Sequence, residues 1–529
     1  MKNNKPVFIS PWTHGSYYIF SVIENGLKTA INSELKEIEI NFLSFGFLKA
    51  IIANIYFNFF RYFNKFSSNK IRSKSIFKDI RSGSIANLRY MDINLKVLRT
   101  YPTLKEICQA MFCTLNILFK NKKYLRCFFL RREALYRKMI EFKYNSVEIG
   151  ILSASYTLRF EPNAGGDLKK SKFFLLNFIN SIYLLNLSNF IFDRIKPKFV
   201  QNNEQLYLAD ILRRNLHVRG CTAVDIDRYS GNKNNKLQLC EPNQKIYVNT
   251  VLQKGYKNLT KKETLEIDKK LKSRVEQNST IWYQMGIGNV KKIENDFLER
   301  IKKSSENKLN VVIFLHSVED AQYEFGFDGF LDIVEWTYST IDWLIGNDNI
   351  SNILVKPHTS INYKKNNCEK LFLKRLRKKY IQNKKVEFIN QRIMNKEFKK
   401  LKNLFGISHH GSVIEELSYM DIPCICSYCT PWKNYPFLKM WSTTNQYFSI
   451  LNDLSIKNFN QYKSNKKLLF KYSYHYRKLD PKNGFWGRLY NKYYGYDQEI
   501  FNAHTVKVFS KITDNITYDD KHLKDLFEN

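Results

Sequence analysis

Three apolar runs in the C-terminal half each end in residues that can bind an anion or move a proton. The first run ends at His316, the second at Lys356-Pro357-His358, and the third at the segment 409–412. Apolar runs of this length are typical of the buried strands of a parallel sheet, and ligands of doubly wound sheets bind beyond the carboxyl ends of the strands. We therefore expect the three segments to meet at one sheet edge and to form a binding site there.

The third segment has the composition of a turn that opens a helix. Gly411 permits a close approach of the backbone, and Ser412 with Glu415 has the Ser-x-x-Glu spacing of a capping box, which predicts a helix start at Ser412. The exposed amides and the dipole of a helix start attract an anion such as a pyrophosphate or a nucleoside monophosphate. Glu416 is expected to accept hydrogen bonds from ribose hydroxyls, whereas Glu415 is assigned to the cap. The other residues assigned to this anion site are His409, His410 and Val413.

Lys356 and His358 flank Pro357, which fixes the backbone just past the predicted strand. A cation and an imidazole at this point suit a reaction in which negative charge develops on a departing phosphate. His316 allows two interpretations, a core histidine or a histidine that a nearby carboxylate orients. The carboxylates that follow it are Asp320, Glu324 and Asp328.

Alternating strands and helices must position these residues. The C-terminal half shows strand patterns at 311–316, 352–356, 386–389, 404–408 and 422–426. Helical patterns separate them at 329–345, 366–380, 394–402 and 412–420. Five strands that alternate with helices predict a doubly wound unit.

The first residues of the chain predict a second unit of the same kind. A strand at 5–10, a glycine-containing loop, a helix at 19–31 and a strand at 38–47 form a βαβ pattern. Residues 48–145 are basic and mostly helical in pattern, and we interpret them as an inserted helical region.

Further elements of the N-terminal half follow that region. Strands are predicted at 147–152 and 196–200, on either side of the long apolar stretch 173–192. A helix at 204–220 ends at a glycine suited to the C′ position. The weakly patterned residues 228–280 are expected to hold the domain boundary.

A chain of 529 residues is too long for one ordinary core, so two domains are expected. We place the N-terminal Rossmann-like domain at 1–275, the C-terminal nucleotide-binding domain at 276–500 and a tail helix at 501–529. Two Rossmann-like domains that face each other across a cleft are the GT-B plan, which makes α/β, GT-B the predicted fold class.

The net charge of the chain indicates which classes of partner it can attract but does not identify one. The net charge of +36 is large enough to attract phosphates, nucleic acid or an anionic membrane surface. A bias of the composition toward Lys, Asn and Ile explains it equally well. Nucleic acid is not expected as a partner, because the basic aromatic motifs of single-strand binders are not found.

Membrane and redox signals are weak. No segment is a convincing transmembrane helix, and the aromatic stretch 42–60 predicts either a helix at a membrane surface or one packed on the N-terminal core. Nine cysteines form no regular framework and no signal peptide opens the sequence, which predicts a cytoplasmic location. Cys424, Cys426 and Cys429 are interpreted as core residues rather than zinc ligands.

These motifs resemble those of bacterial capsule and lipopolysaccharide polysaccharide-biosynthesis glycosyltransferases. The similar segments are 314–326, Glu335-Trp336, 355–358, 410–416 and Asp421-Ile422-Pro423, within about residues 311–450. In the N-terminal half the resemblance is confined to 14–18 and 196–220.

The resemblance implies a GT-B fold, a nucleotide-sugar donor and no chelated metal or other cofactor. Branches with Lys-Pro-His motifs use CMP-activated keto-sugars, which favours a CMP-sugar over a UDP-sugar. The residues that the resemblance assigns to donor binding are Lys356, His358, His410, Ser412 and Glu416. Ser412 stands where the family has Thr, and Thr359 stands where a second Pro often follows.

A transferase of the inverting kind needs a general base to deprotonate the acceptor hydroxyl. The candidates in decreasing order are His14, Glu24, Glu161 and Glu204. The predicted catalytic set is therefore His14, His358 and Glu204, and the sequence does not decide among the bases.

The sequence thus predicts transfer of a sugar from a nucleotide sugar to a surface polysaccharide or lipopolysaccharide acceptor, at the inner face of the cytoplasmic membrane. A nucleotide-sugar epimerase and a CDP-polyol phosphotransferase are the alternatives of the same fold. A basic nucleic-acid- or membrane-binding protein without catalysis is the alternative from another class.

Overall fold

The fold was described from a computed structural model. The described residues are 7–11, 35–43, 83–90, 93–100, 102–124, 133–201, 208, 210–224, 258–276, 291–319, 322–323, 326–358, 361, 368–390, 392–430, 432–433 and 435–477. Among them lie two six-stranded sheets, one in each half of the chain.

The N-terminal sheet has the strand order β3-β4-β2-β1-β5-β6. Its strands are β1 (Val7–Pro11), β2 (Glu37–Leu43), β3 (Gly83–Tyr90), β4 (Ile93–Thr100), β5 (Phe199–Gln201) and β6 (Thr222–Val224). All neighbours pair in parallel except β3 and β4. Parallel pairing of β1 with β2 confirms the strands of the predicted βαβ opening, whereas the helix predicted at 19–31 and the stretch 44–60 lie outside the described residues.

The region 48–145, predicted to be a mostly helical insertion, also contains two strands. Strands β3 and β4 form a hairpin in it, and β4 pairs in parallel with β2 over seven residues. The alternation of Ile93, Leu95 and Val97 with polar residues is a strand pattern that the dense basic residues around it obscure. Two helices follow, α1 (Leu104–Lys120) and α2 (Glu133–Ile140).

The strand predicted at 147–152 is wrong, because this segment opens helix α3 (Ile149–Phe160). Nearly all residues of α3 are buried, so its sequence shows no polar face, and a short apolar run is ambiguous between a strand and a buried helix. Gly150 allows the tight entry into this helix, since an added Cβ would lie 1.9 Å from the carbonyl oxygen of Met139.

The apolar stretch at 173–192 forms helix α4 (Phe174–Ile195), which packs against α1, α3 and α5 (Asp210–Val218). Of the helices in the described part of the chain, α4 is the one long and apolar enough to cross a membrane, and most of it is buried in the protein. Phe178, Ile182 and Leu185 lie in the N-terminal core. After α5, Gly220 has φ +97°, as the predicted helix end requires.

The C-terminal sheet is parallel throughout, with the order β12-β11-β10-β7-β8-β9. Its strands are β7 (Leu309–Phe314), β8 (Ile350–Lys356), β9 (Val386–Phe388), β10 (Leu404–Ser408), β11 (Cys424–Ser427) and β12 (Lys439–Trp441). The five predicted strands are confirmed, and the short β12 was missed. The direction of strand addition reverses between β7 and β10, which makes this pair the topological switch point of the sheet.

Helices precede, connect and follow the strands of the C-terminal sheet. They are α6 (Lys261–Val275), α7 (Asn295–Ser304), α8 (Ile333–Ile345), α9 (Cys368–Tyr380), α10 (Val413–Tyr419), α11 (Thr444–Asp453) and α12 (Lys466–Arg477). The helix predicted at 394–402 is a 3-10 helix, Asn395–Lys400. Leu271 and Val275 of α6 belong to the C-terminal core, so this unit includes residues that the sequence assigned to the N-terminal domain. The tail helix predicted at 501–529 lies outside the described residues.

The two halves are in contact through α2 and through the segment between α3 and α4. The amide of Leu168 donates to Asp332 Oδ2 (2.9 Å), and Arg137 of α2 pairs with Glu335 of α8 (2.6 Å). Gly166 lies so close to Val318 that an added Cβ would be 2.4 Å from the valine Cβ. Two sheets in one chain, one parallel throughout and one parallel except for the β3-β4 pair, together with the helices between their strands, confirm the predicted α/β fold class of the GT-B type.

Candidate functional site

The strand register brings the three predicted segments to one sheet edge. Phe314, the last residue of β7, lies between Ser408 of β10 and Lys356 of β8. The residues that follow these strands, among them His316 and His358, therefore leave the sheet at the same level. The predicted convergence is confirmed, and it lies at the switch point.

Three imidazoles cluster at this edge. The ring of His316 lies 3.8 Å from the ring of His410 and 5.5 Å from that of His358, measured between centroids. His316 is half-buried, and its Nδ1 lies 3.1 Å from the carbonyl oxygen of Ser317. Neither interpretation of His316 predicted this cluster with His358 and His410.

The buried carboxylate of Asp328 lies next to His409, the neighbour of His410 in the sequence. Asp328 Oδ2 lies 3.0 Å from Nε2 of His409 and also accepts hydrogen bonds from Ser427 Oγ (2.6 Å) and Trp441 Nε1 (3.0 Å). The Nδ1 atoms of His409 and His410 are 2.7 Å apart. The sequence proposed Asp328 as a partner of His316, but its imidazole partner is His409. Asp320 and Glu324 lie outside the described residues.

Lys356 is buried at the end of β8, where its ammonium donates to Asn395 Oδ1 (2.6 Å). The ammonium also lies over the rings of Phe314 (5.7 Å) and Phe398 (5.9 Å). Burial lowers the pKa of Lys356 to about 8, although the carboxylate of Glu416 acts in the opposite direction. Lys356 is therefore a cation that titrates close to neutral pH.

Protein groups hold both oxygens of Glu416. Arg274 Nε donates to Oε1 (2.9 Å), and Asn395 Nδ2 donates to Oε2 (2.7 Å). Asn395 thus links Glu416 to Lys356. A contact of Glu416 with a ribose stays a prediction.

The predicted capping box is wrong. Ser412 is the N-cap residue of α10, but its φ of −61° and ψ of −7° are helical and its side chain caps no amide. A capping hydroxyl reaches the N2 or N3 amide from an extended backbone, which Ser412 lacks. Arg274 donates to Ser412 Oγ instead (2.6 Å), and Glu415 is buried 4.0 Å from the same guanidinium.

Gly411 is needed for close packing at the turn. An added Cβ would lie 2.7 Å from Ser408 Oγ, which donates to the carbonyl oxygen of Phe314, and 3.9 Å from Cδ2 of His316. The predicted close approach at Gly411 is confirmed. Val413, the first residue of α10, is partly buried against the core.

Of the candidate general bases, Glu161 is described, and His14, Glu24 and Glu204 are outside the described residues. The carboxylate of Glu161 is buried and accepts hydrogen bonds from Ser171 Oγ and from the amide of Lys172 (2.8 Å). Burial raises the pKa of Glu161. Its contacts fix the segment that leads into α4.

The cysteines of β11 and its exit are core residues, as predicted. Cys424, Cys426 and Cys429 are buried, and Cys426 Sγ accepts a hydrogen bond from Trp432 Nε1 (3.2 Å). Burial raises the pKa of Cys424 to about 11 and that of Cys429 to about 12, so both are thiols at neutral pH. Within the described residues, no group of three His, Cys, Asp or Glu side chains is arranged to hold a metal ion.

No protein-family model and no curated protein matches this sequence. Among solved structures, the chain is similar to the UDP-GlcNAc 2-epimerase of Methanocaldococcus jannaschii in complex with UDP-GlcNAc and UDP. The two sequences are 14% identical, the match covers 55% of this chain and 78% of that chain, and the TM-score is 0.25. It is also similar to the UDP-GlcNAc 2-epimerase of Neisseria meningitidis, with 11% identity over 57% and 79% of the two chains and a TM-score of 0.22.

A third similar structure is the alpha,alpha-trehalose 6-phosphate synthase of Burkholderia multivorans, with 10% identity, 96% of this chain and 99% of that chain covered, and a TM-score of 0.26. The fold class rests on the two sheets of this chain and their topology.

Proposed function

We propose that the chain is a glycosyltransferase that binds a nucleotide-sugar donor at the switch point of the C-terminal sheet. The observation that supports this proposal most is the cluster of His316, His358 and His410 at the edge where the buried Lys356 ends β8. Imidazoles and an ammonium at this position suit the phosphates of a nucleotide, because ligands of doubly wound sheets bind at the switch point.

Lys356 and His358 would act on the departing nucleotide. Negative charge grows on the phosphate oxygen as the glycosidic bond breaks, and a fixed cation beside that oxygen lowers the barrier. The hydrogen bond to Asn395 fixes the ammonium of Lys356 before the donor binds. In this proposal these side chains neutralise the phosphate without a metal ion, while the N-terminal domain presents the acceptor.

The donor we propose is a CMP-activated keto-sugar and the acceptor a surface polysaccharide or lipopolysaccharide. Support for this choice is the Lys356-Pro357-His358 motif and its resemblance to capsule and lipopolysaccharide glycosyltransferases. A nucleotide-sugar epimerase of the same fold would convert its sugar nucleotide without an acceptor, whereas a transferase releases free nucleotide in step with glycan growth.

Nucleotide release tests the proposed activity. The purified chain is incubated with CMP- or UDP-activated sugars, with and without a glycan acceptor, and free nucleotide is measured. We expect acceptor-dependent release, reduced at least about 100-fold in His358→Ala, since removal of one charge-stabilising group costs about this much. His217→Ala is the matched control, because His217 bonds to the carbonyl oxygen of Cys221 far along the chain from the cluster. Full activity in His358→Ala would refute the role of this imidazole.

We further propose that the chain works at the cytoplasmic face of a membrane, with helix α1 as the contact surface. The apolar stripe of α1 consists of Leu104, Met111, Phe112, Leu115 and Phe119, which are all more than half exposed. Phe112, Leu115 and Phe119 follow one another at spacings of three and four positions, as residues on one face of a helix do. Exposed apolar stripes of this kind on a helix with basic flanks suit the interface of a bilayer.

Charge favours an anionic lipid surface over a protein partner. The acidic residue of α1, Glu106, lies on the buried side and pairs with Arg194 of α4 (2.6 Å). The exposed charges of α1 and the turn after it are all basic: Lys105, Lys120, Lys122 and Lys123. An apolar stripe with a purely basic rim fits anionic headgroups above acyl chains.

A further inference from the structure

Arg274 of helix α6 is buried against the start of helix α10, next to the proposed donor site. Its guanidinium donates through Nε to Glu416 Oε1 (2.9 Å), and through Nη2 to the hydroxyl (2.6 Å) and the carbonyl oxygen (3.2 Å) of Ser412. The carboxylate of Glu415 lies 4.0 Å from its Nη1. One side chain of α6 therefore holds both the first turn of α10 and a carboxylate of the site.

The contacts of Arg274 continue through Glu416 to Lys356. Asn395 donates through Nδ2 to Glu416 Oε2 (2.7 Å) and accepts through Oδ1 from the ammonium of Lys356 (2.6 Å). An ammonium can only donate, and a carboxylate that pairs with a guanidinium accepts, so these two neighbours fix which way the amide of Asn395 points. The position of Glu416 thus decides whether Lys356 meets an acceptor.

Helix α6 has other contacts that attach it to the C-terminal unit. Leu271 and Val275 pack in the C-terminal core, and the hydroxyl of Tyr419 on α10 donates to Asp268 (3.0 Å). Removal of a guanidinium from water costs free energy that an apolar side chain of similar size does not cost. Attachment of α6 therefore does not account for a buried charge at Arg274.

We propose that Arg274 is a positioning residue of the donor site, which acts through Glu416 on the binding of the nucleotide phosphate by Lys356. The inference rests on the proposed function, since it concerns the same site, and it extends that site to helix α6. Arg274 holds the carboxylate of Glu416 in place and offsets its negative charge. The ammonium of Lys356 is then available for the phosphate instead of being drawn to the carboxylate.

The surroundings of Lys356 suit this role. Its ammonium bonds to the neutral amide of Asn395, which separates it from Glu416. Burial lowers the pKa of Lys356 to about 8, and the negative charge of Glu416 acts against this change. Titratable groups nearby are also Glu415 on α10 and His358 at the exit of β8. Any change in how well Arg274 offsets Glu416 is therefore expected to alter the titration of Lys356.

The pH dependence of nucleotide affinity tests the role of Arg274. CMP and UDP are titrated calorimetrically into the full chain above neutral pH, across the range in which Lys356 loses its proton. In Arg274→Gln the pH midpoint of the loss of affinity should rise by about one unit, because Glu416 then holds the proton of Lys356 more firmly. In Glu416→Gln the midpoint should fall by about one unit. At neutral pH we expect Arg274→Gln to bind on the order of tenfold more weakly, a typical coupling between neighbours.

The double variant Arg274→Gln/Glu416→Gln shows whether Arg274 acts through Glu416. Its pH midpoint should equal that of Glu416→Gln, since no carboxylate remains for the guanidinium to offset. The double variant also lacks the unpaired buried carboxylate that destabilises Arg274→Gln. A merely structural role of Arg274 would lower the thermal midpoint of the chain without a change in the pH midpoint.

Arg300→Gln is the matched control, because Arg300 pairs with Glu387 (2.5 Å) on the exposed surface of the same unit. It should bind nucleotide as the wild type does at every pH. Arg274→Lys keeps the charge but not the planar fork of donors. This variant should restore the pH midpoint of the wild type but not its full affinity.

A second measurement needs no nucleotide. The ¹³C signals of labelled lysine side chains, with that of Lys356 assigned by its loss in Lys356→Met, give the titration of Lys356 in the free chain. We expect the same opposite shifts in Arg274→Gln and Glu416→Gln.

The outcomes separate the role of Arg274 from the proposed function. Nucleotide binding with one pH midpoint shared by the wild type, Arg274→Gln and Glu416→Gln would overturn the role of Arg274 and leave the proposed function standing. Equal titration of Lys356 in the three free proteins would do the same. Absence of binding by either nucleotide would overturn both.

Discussion

The charge of Lys356 should govern how donor binding depends on pH. Its pKa of about 8 means that the ammonium is lost as the pH rises through about 8. We expect nucleotide affinity to fall about tenfold from about pH 7 to about pH 9, which corresponds to about 1.4 kcal/mol. In Lys356→Met the affinity should be lower at neutral pH and this part of the pH dependence should vanish, as measured by calorimetric titration.

The control for this experiment is Lys385→Met, since Lys385 donates to the carbonyl oxygen of Ile345 and is not part of the site. It should bind as the wild type does at every pH. Stability responds in the other direction from affinity: the folded-state pKa lies below the ordinary value of 10.5, so the folded chain holds fewer protons between about 8 and 10.5. The contribution of Lys356 to the free energy of unfolding therefore rises with pH across that window.

At the residue scale, the sequence predicted the ends of strands better than the partners of side chains. Lys356, His358 and His410 could be placed because each follows an apolar run. Arg274 could not, because it lies 142 positions from Glu416 in a region without a motif, and only the packing of α6 on α10 brings them together.

The partner of Asp328 was missed for the same reason. Sequence proximity suggested His316, whereas the register of β10 beside β7 places His409 against the carboxylate. A contact between segments that are far apart in the sequence leaves no local pattern. Asn395 likewise lies in a 3-10 helix whose composition predicts no role.

At the scale of elements, the contact between the Gly166 loop and the end of β7 should be intolerant of a side chain. Gly166 has φ +78°, and its Cβ would overlap Val318. We expect Gly166→Ala to lower the free energy of unfolding by about 2–4 kcal/mol, from backbone strain and overpacking together. Denaturant unfolding measures this loss.

Gly220→Ala separates the two contributions. Gly220 has a similar φ of +97° but nothing within 4 Å of an added Cβ, so only backbone strain of about 1–2 kcal/mol is expected. Equal losses in the two variants would contradict close packing between Gly166 and Val318.

The apolar stripe of α1 gives a prediction for the whole helix. Phe112 and Phe119 are more than 70% exposed, and burial of such a side chain contributes about 1.5–3 kcal/mol. We expect the double variant Phe112→Ser and Phe119→Ser to bind vesicles of phosphatidylglycerol and phosphatidylcholine at least about tenfold more weakly than the wild type. Co-sedimentation with the vesicles measures this.

Leu265→Ser is the matched control, because Leu265 on α6 is as exposed as the two phenylalanines but is not part of the apolar stripe of α1. It should sediment with vesicles as the wild type does. Tight binding of the wild type to vesicles of pure phosphatidylcholine would show that the basic residues beside the apolar stripe are not needed for binding. A wild type that does not sediment with any vesicles would refute membrane contact through α1.

Element types could be predicted where the periodicity was clear. Strands β7, β8 and β10 are short, mostly apolar and followed by polar residues, and they were predicted. Helix α3 was mistaken for a strand because burial on all sides removes the polar face that marks a helix, and β3 and β4 were missed because basic residues dominate their neighbourhood.

At the scale of the whole molecule, two α/β units were predictable from the alternation of strands and helices. The position of the boundary between the two domains was not predictable, because α6 lies in a charged, weakly patterned region. This helix nevertheless contributes Leu271 and Val275 to the C-terminal core. Only tertiary packing assigns such a helix to one unit.

We propose that the edge of the C-terminal sheet binds a nucleotide. The most direct measurement is the thermal midpoint of the purified chain with CMP, CDP, UDP or GDP, because a ligand that binds only the folded state stabilises it. We expect the midpoint to rise with at least one nucleotide, most with CMP, and this rise to be lost in His358→Ala and retained in His217→Ala. An unchanged midpoint with all four nucleotides would refute nucleotide binding at this sheet edge.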